Sequence, residues 1–294
     1  MKVTILLEGL TMMVMPMLGL KGSSDQQQID DRLQYHPDVY EFYTSAADFT
    51  PEGYQRLDEA VQYVQSKGIQ RIVIHHPMVY HEWHSEVVAP EKSFPELYRF
   101  IETSTEQLIA LAKKRNIQVL VHGGYAGKEV QEMVSLYPSV EKARQAVYKR
   151  LDRFAKAGGQ HIMFENSIAP VFAYGHPEQE DEILSHNYRL AFDTSHCFIE
   201  MHGDNQALQA SLKHLRDHVV HYHLVDSMGQ THDSLQLGKG KIDWAPVLKL
   251  LNPNASSIYE INLHDQWNCR EQVESHRYLT NIAKKLMQGE QRES

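Results

Sequence analysis

Cysteine is nearly absent: Cys197 and Cys269 are the two that the 294-residue chain carries. Two thiols cannot make a disulfide framework, so the fold must rest on a buried core, and a cytoplasmic protein is expected. Concentrated positive charge is missing as well. The net charge is −9 with no Lys/Arg block, whereas duplex nucleic acid is normally held by a basic stripe, which counts against DNA as a partner. Long apolar runs are also lacking. No segment approaches the length needed to span a bilayer, and no membrane association is expected. The opening MKVTILLEGLTMMVMPMLGL superficially resembles a secretory leader, but Glu8 breaks it and no small-x-small cleavage pattern follows. It reads instead as a first strand, Val3 to Leu7, with a hydrophobic loop behind it.

What is present is ordinary for a globular chain. At 42% hydrophobic and 23% charged residues, there is enough apolar mass for one large core, and residues 1–294 are read as a single domain. Short β-rich runs recur at 3–9, 39–44, 71–76, 117–124, 161–166, 188–194, 219–226 and 257–263. Amphipathic helical patterns separate most of them. The pattern at 51–68 opens on Pro and closes on Gly, and that at 93–116 ends in Lys, Lys, Arg and Asn, as helix ends require. Similar patterns fill 139–159 and 269–289, while 10–37 shows little helical periodicity. Eight strand–helix repeats imply an α/β fold with a parallel sheet closed into a (β/α)8 TIM barrel.

Four successive strands end in metal-ligand chemistry: MFENS in Glu165, LAFDTSH in Asp193, HYHLVD in His223 and IYEIN in Glu260. In such barrels the chemistry sits in the loops after the strands. A single strand-end Asp often just caps the next helix, and a lone Glu often forms a salt bridge. A carboxylate ending an apolar strand is costly unless paired, hydrogen-bonded or bound to metal, and capping does not require four in a row. Glu165, Asp193, His223 and Glu260 are therefore expected to bind one divalent ion. His221 lies one strand step deeper and reads as a packed core histidine. His122, with His75 or His76, forms a candidate second site bridged by Glu165. His196 is a candidate partner behind the ligands, substrate contact or ligand itself, and with His232 it is a candidate third site. In the loop 226–244, Asp233 follows His232, and Gly238 and Gly240 permit tight turns. The His- and aromatic-rich stretch 75–84 suits either a cover over a polar ligand or an interface, which leaves a homo-oligomer open.

These pieces, taken in order over about 70–265, resemble the xylose-isomerase-like TIM-barrel superfamily, which includes sugar isomerases, epimerases and endonuclease IV. FENS resembles its strand with a ligand Glu, LAFDTSH its Asp-Thr-x-His strand, HYHLVD its His-x-His-Leu-x-Asp strand, and LGKGKIDW its Leu-Gly-Glu-Gly-x-Ile-Asp turn. The resemblance implies the same four ligands. It departs from endonuclease IV where His232-Asp233-Ser234 stands for an Asp-Arg-His, Val225 for an Asn and Ser195 for a Cys. Those departures count against a full trinuclear repair centre, while VHGG and IHH resemble the endonuclease's extra zinc histidines.

The leading expectation is a metal-dependent isomerase or epimerase of a small sugar, polyol or keto acid. The ion (Mn²⁺, Zn²⁺, Co²⁺ or Mg²⁺) would stabilise an enediolate, Glu165 and Glu260 would act as catalytic acid and base, and His196 would bind a substrate oxygen. The alternative is an endonuclease IV-like di- or trinuclear phosphodiesterase, with Glu165 bridging two ions. A non-enzymatic sugar-binding barrel is the third reading.

Overall fold

The computed structural model describes residues 15–125 and 127–293. Eight parallel strands follow one another in chain order: β1 (Gly19–Gly22), β2 (Val39–Tyr43), β3 (Arg71–His75), β4 (Gln118–His122), β5 (Ile162–Glu165), β6 (Leu190–Asp193), β7 (Val219–His223) and β8 (Ser256–Ile258). The last returns to the first, with the Tyr259 amide donating to the Gly19 carbonyl at 3.3 Å. This is the expected TIM barrel. A two-stranded antiparallel hairpin, Val79–Tyr80 with Trp83–His84, decorates the loop after β3.

One boundary is corrected. The expected strand at 3–9 lies outside the described residues, and β1 falls instead in the stretch read as a loop. GLKG has two glycines and one apolar side chain, so it gives no alternating signal. The helix Gln26–Leu33 also lies in the stretch that showed little periodicity. It is short and carries few apolar residues to mark a buried stripe. Elsewhere the punctuation works as expected. Thr50 caps Pro51–Ser66 by accepting from Gly53 N at 3.1 Å, and Ser139 caps Val140–Gly158 through Lys142 N at 3.2 Å. Asn116, at φ 54°, closes Pro95–Arg115 in the left-handed region. Among the described residues, no helix is long and apolar enough to cross a membrane.

Side chains alternate across a strand, and this period of two builds the site. Residues such as Ile74, Val121, Phe164, Phe192 and Tyr222 point outward and join the large core beneath the helices. Val73, Leu120, Met163 and Ala191 point inward and plug the barrel as a small cluster of their own. Two residues further along each of those strands come His75, His122, Glu165 and Asp193, so one polar layer sits directly on the apolar plug. Strand register lines up the partners: His122 faces Glu165, Asp193 faces His223, and Lys21 faces Glu41.

Closure of the barrel depends on Gly19. A Cβ there would lie 1.8 Å from the Ser257 carbonyl oxygen, a clash with backbone that no rotamer relieves. Gly19→Ala is expected to cost about 1–3 kcal/mol, the range for overpacking. Urea denaturation should show a lower midpoint, and an unchanged midpoint would mean that the β1–β8 seam has slack.

Candidate metal centre

Glu165 is the hub of the polar layer, with a side chain of 0% exposure. Its Oε1 lies 2.9 Å from His223 Nδ1. Its Oε2 lies 3.0 Å from His122 Nε2 and 3.6 Å from His75 Nε2. Glu260, two residues past the end of β8, also packs against His223 Nδ1. Asp193 serves two purposes. Its Oδ1 caps the helix Thr194–Glu200, accepting from the His196 amide at 2.7 Å and Ser195 Oγ at 2.8 Å. Capping and metal binding are thus not exclusive, because a carboxylate has a second oxygen.

The structure brings ligand atoms of Glu165, Asp193, His223 and Glu260 all within 4.8 Å of one another, and does the same for His75, His122 and Glu165. His76 is not brought in. As the next residue after His75 it faces the opposite side, where its Nε2 meets Ser104 Oγ at 2.7 Å on the helix Pro95–Arg115. Burial, with His75 beside it, pushes its pKa down to about 3, so His76 is a neutral packing group. His75 Nδ1 donates to the His76 carbonyl at 2.7 Å, which leaves the Nε2 lone pair toward Glu165. His196 Nδ1 donates to the Asn166 carbonyl at 2.9 Å, so its Nε2 is an acceptor, and it faces His232 Nε2 at 3.0 Å. Burial and the adjacent His196 hold His232 below its ordinary pKa. Asp233 does not join this pair: its Oδ2 accepts from the Met228 amide at 3.2 Å. His221 is the packed core histidine expected, held by Ser256 Oγ at 2.7 Å and Glu41 Oε2 at 3.0 Å.

The donor set fits a divalent cation. Both Glu165 oxygens, His223 Nδ1 and His75 Nε2 are buried and make no aligned hydrogen bond despite their close approach. Orphaned buried polar atoms are costly, and a shared cation would satisfy them together. The electrostatics agree. Burial pushes the Glu165 carboxyl upward, but the His122 and His223 rings outweigh it and hold it well below the usual carboxylate range. Burial likewise opposes ionisation of Glu260, and His223 and Lys21 overcome it. Burial disfavours the His223 cation, yet Glu165, Glu260 and Glu41 together hold its pKa well above the ordinary value. Such a crowd of anions around one imidazole is what a cation would relieve.

Four residues of the site were given no role from the sequence: Lys21 and Glu41 carried no recognised signal, and Asn166 and Asp226 stood inside the quoted FENS and HYHLVD motifs unassigned. Lys21 sits between Glu41 (3.1 Å) and Glu260. Burial works against its charge, but Glu260 and Glu41 raise its pKa above the ordinary value. Glu41 was legible in principle, because in VYEFY it alternates with outward Tyr40 and Phe42. Asn166 stitches β5 to β6, accepting from Asp193 N at 2.8 Å and donating to the Asp193 carbonyl at 3.1 Å. Asp226 organises the loop after β7 by accepting from Gly238 N at 2.8 Å and Trp244 Nε1 at 3.0 Å. The two glycines read as turn residues close around it: Gly238 has φ 84°, and a Cβ on Gly240 would meet Asp226 Oδ1 at 2.3 Å.

A cavity of about 720 Å³ opens over this layer, lined among others by Lys21, His122, Tyr125, Asp193, His196, His232 and Glu260. Glu165 does not line it. Tyr125 stacks on His122 at 4.4 Å, and its backbone amide is held by both oxygens of Glu86 at 3.1 Å.

The polar layer at the strand ends is one that could hold a divalent ion. The chain belongs to the xylose isomerase-like TIM barrel family, whose model matches residues 38–279. Among solved structures it is similar to a D-tagatose 3-epimerase-like protein, at 17% identity and TM-score 0.68, over 93% of this chain and 99% of that one. The TTHB071 protein of Thermus thermophilus, soaked with ZnCl₂, is 18% identical with TM-score 0.64, over 92% and 99% of the two chains. D-psicose 3-epimerase of Clostridium cellulolyticum, with D-tagatose, is 12% identical with TM-score 0.60, over 92% and 97%. At these identities the likeness establishes the fold. No curated protein sequence matches the chain.

The placement of the two adjacent histidines is open to direct test. His75→Ala should abolish any binding of Zn²⁺ beyond the first equivalent, whereas His76→Ala should leave metal content unchanged and lower only thermal stability. Elemental analysis after dialysis distinguishes them, and metal loss in His76→Ala would contradict the placement of that ring. A further expectation concerns Glu86, whose pKa burial raises to about 8, against the opposing Tyr125 amide, with Glu129 adding to the rise. A carboxyl with a raised folded pKa stabilises fully below the unfolded value of about 4.3, and that contribution is lost as pH rises to about 8. Stability relative to Glu86→Gln should therefore fall across that window, by up to about 1.4 kcal/mol per pH unit. Parallel pH–stability curves would exclude the effect.

Proposed function

We propose that the protein is a divalent-metal-dependent isomerase or epimerase acting on a neutral sugar or sugar-like polyol. The observation that carries this reading is the charge of the cavity. Among the described residues that line it, Lys21 is the one cation, and Glu41 and Glu260 already neutralise it. Apart from a bound ion, a phosphodiester would find no free side-chain cation there to hold its remaining charge. Hydroxyl groups would find acceptors and donors in His196, Ser167, Asn262 and Gln272, between apolar walls such as Ile168 and Ile261.

Glu165, Asp193, His223 and Glu260 would hold the ion. When bound, it supplies Lewis-acid polarisation to adjacent carbonyl and hydroxyl oxygens and so acidifies the neighbouring C–H. His196, with Nε2 free to accept, takes a hydrogen bond from a substrate hydroxyl. Glu260 is ionised, lines the cavity and keeps 24% side-chain exposure, so it is the base that removes the carbon-bound proton. Glu165, expected to share this task, has 0% exposure and no surface in the cavity, which favours Glu260 as the base and Glu165 as a ligand. A single carboxylate can move a proton between adjacent carbons on one face, which suits aldose–ketose isomerisation. Epimerisation would need a second donor on the opposite face.

A second reading rests on the His75–His122–Glu165 group. Were that group to hold an ion as well, Glu165 would be a ligand of both sites and a hydrolase would become the better description. Incubating Mn²⁺- or Co²⁺-loaded protein with a panel of neutral aldoses and ketoses in D₂O tests both readings. Deuterium should enter next to the carbonyl, and Glu260→Gln should lower that rate by about 10²–10⁴-fold while melting unchanged in chelator. No exchange with any sugar, together with two bound ions and cleavage of a chromogenic phosphodiester, would replace the isomerase with the hydrolase.

A further inference from the structure

Beneath the ligand layer lies a buried group that the mechanism above does not use. Glu41, at the middle of β2, has 0% exposure. Its Oε2 lies 3.0 Å from both His221 Nε2 and His223 Nε2. These rings belong to β7, which is not a neighbour of β2: β1 and β8 stand between them in the barrel. The Glu41 side chain therefore crosses the interior. Its Oε1 faces Lys21 Nζ at 3.1 Å, and the same ammonium contacts Glu260. An isolated buried carboxylate would be expensive. This one is retained with a matched cation and two ring donors.

We propose that Glu41 is the positioning residue of the metal centre: it accepts the hydrogen bond from His223 Nε2–H, so that when a cation replaces the Nδ1 proton the ring is already fixed with Nδ1 toward Glu165 and Glu260, and it is itself held in place by Lys21. The inference rests on the reading of His223 as a metal ligand. His223 Nδ1 lies 2.9 Å from Glu165 Oε1 and against Glu260, so it is the nitrogen presented to an ion. Among the described residues its other nitrogen meets one acceptor, Glu41 Oε2. A carboxylate behind a ligand imidazole sets its orientation and raises its basicity, and losing such a partner typically weakens metal binding about 10–100-fold. His221 shares the same oxygen but points no nitrogen at the ligand cluster, since its Nδ1 is taken by Ser256 at 2.7 Å. Lys21 couples the arrangement to Glu260, so the ligand from β7 and the base beyond β8 are referred to one cation on β1.

The test uses Zn²⁺ as the probe, on the full chain. In zinc-loaded wild-type protein labelled with ¹⁵N-histidine, long-range ring correlations should show His223 coordinated through Nδ1 and protonated at Nε2. Glu41→Gln should raise the Zn²⁺ dissociation constant, measured by competition with a chromogenic chelator, by about 10–100-fold. His221→Phe, which removes the other ring on the same oxygen, should change it less than about threefold. Coordination through Nε2, or equal losses in Glu41→Gln and His221→Phe, would overturn the proposal while leaving the metal site intact. Absence of any Zn²⁺ binding by wild-type protein would overturn both. Should Glu41→Gln fail to fold, Glu41→Asp, whose shorter side chain withdraws the carboxylate from His223 Nε2, takes its place and should raise the Zn²⁺ dissociation constant more than His221→Phe does.

Discussion

A carboxylate with no access to water, ringed by imidazoles, is the constraint around which this barrel is arranged. Glu165 ends β5 on the apolar plug formed by Val73, Leu120, Met163 and Ala191. An ionised group in that position is tolerated only if neighbouring strands deliver compensating partners at the same height. They do, because parallel strands in register place His122 beside Glu165 and Asp193 beside His223. Each of its oxygens meets a different set of rings, one toward β7 and the other toward β3 and β4.

Much of this was legible from the amino-acid order. Seven of the strands and the four longest helices, with their ends, follow from periodicity and punctuation, since both depend on local steric rules. Glu165, Asp193, His223 and Glu260 stand out because a polar residue at the end of an apolar run violates the pattern around it. His75 and His76 could not be separated by composition, but strand alternation allows only one of them to face the barrel axis, and His75 is that one.

What escaped the sequence is equally physical. Lys21 sits in a strand of glycines, too short and too bare to show a period. Glu41 looks like a polar residue on a half-exposed strand until the barrel closes and its face becomes interior. Asn166 and Asp226 act through backbone amides and carbonyls brought together by folding, at 2.8 Å from Asp193 N and Gly238 N respectively. No residue type or spacing announces such partnerships.

The accessibility of the ligands differs within the layer, and this sets an order of events. Asp193, His122 and Glu260 line the cavity, whereas Glu165, His75 and His223 lie behind them. A cation entering this layer would meet Glu260 and Asp193 first, and the Lys21 and His223 contacts of Glu260 would have to give way for it to bind. Exchange of such a cation would then depend on how readily Glu260 leaves its Lys21 and His223 contacts as well as on the equilibrium strength of the buried groups.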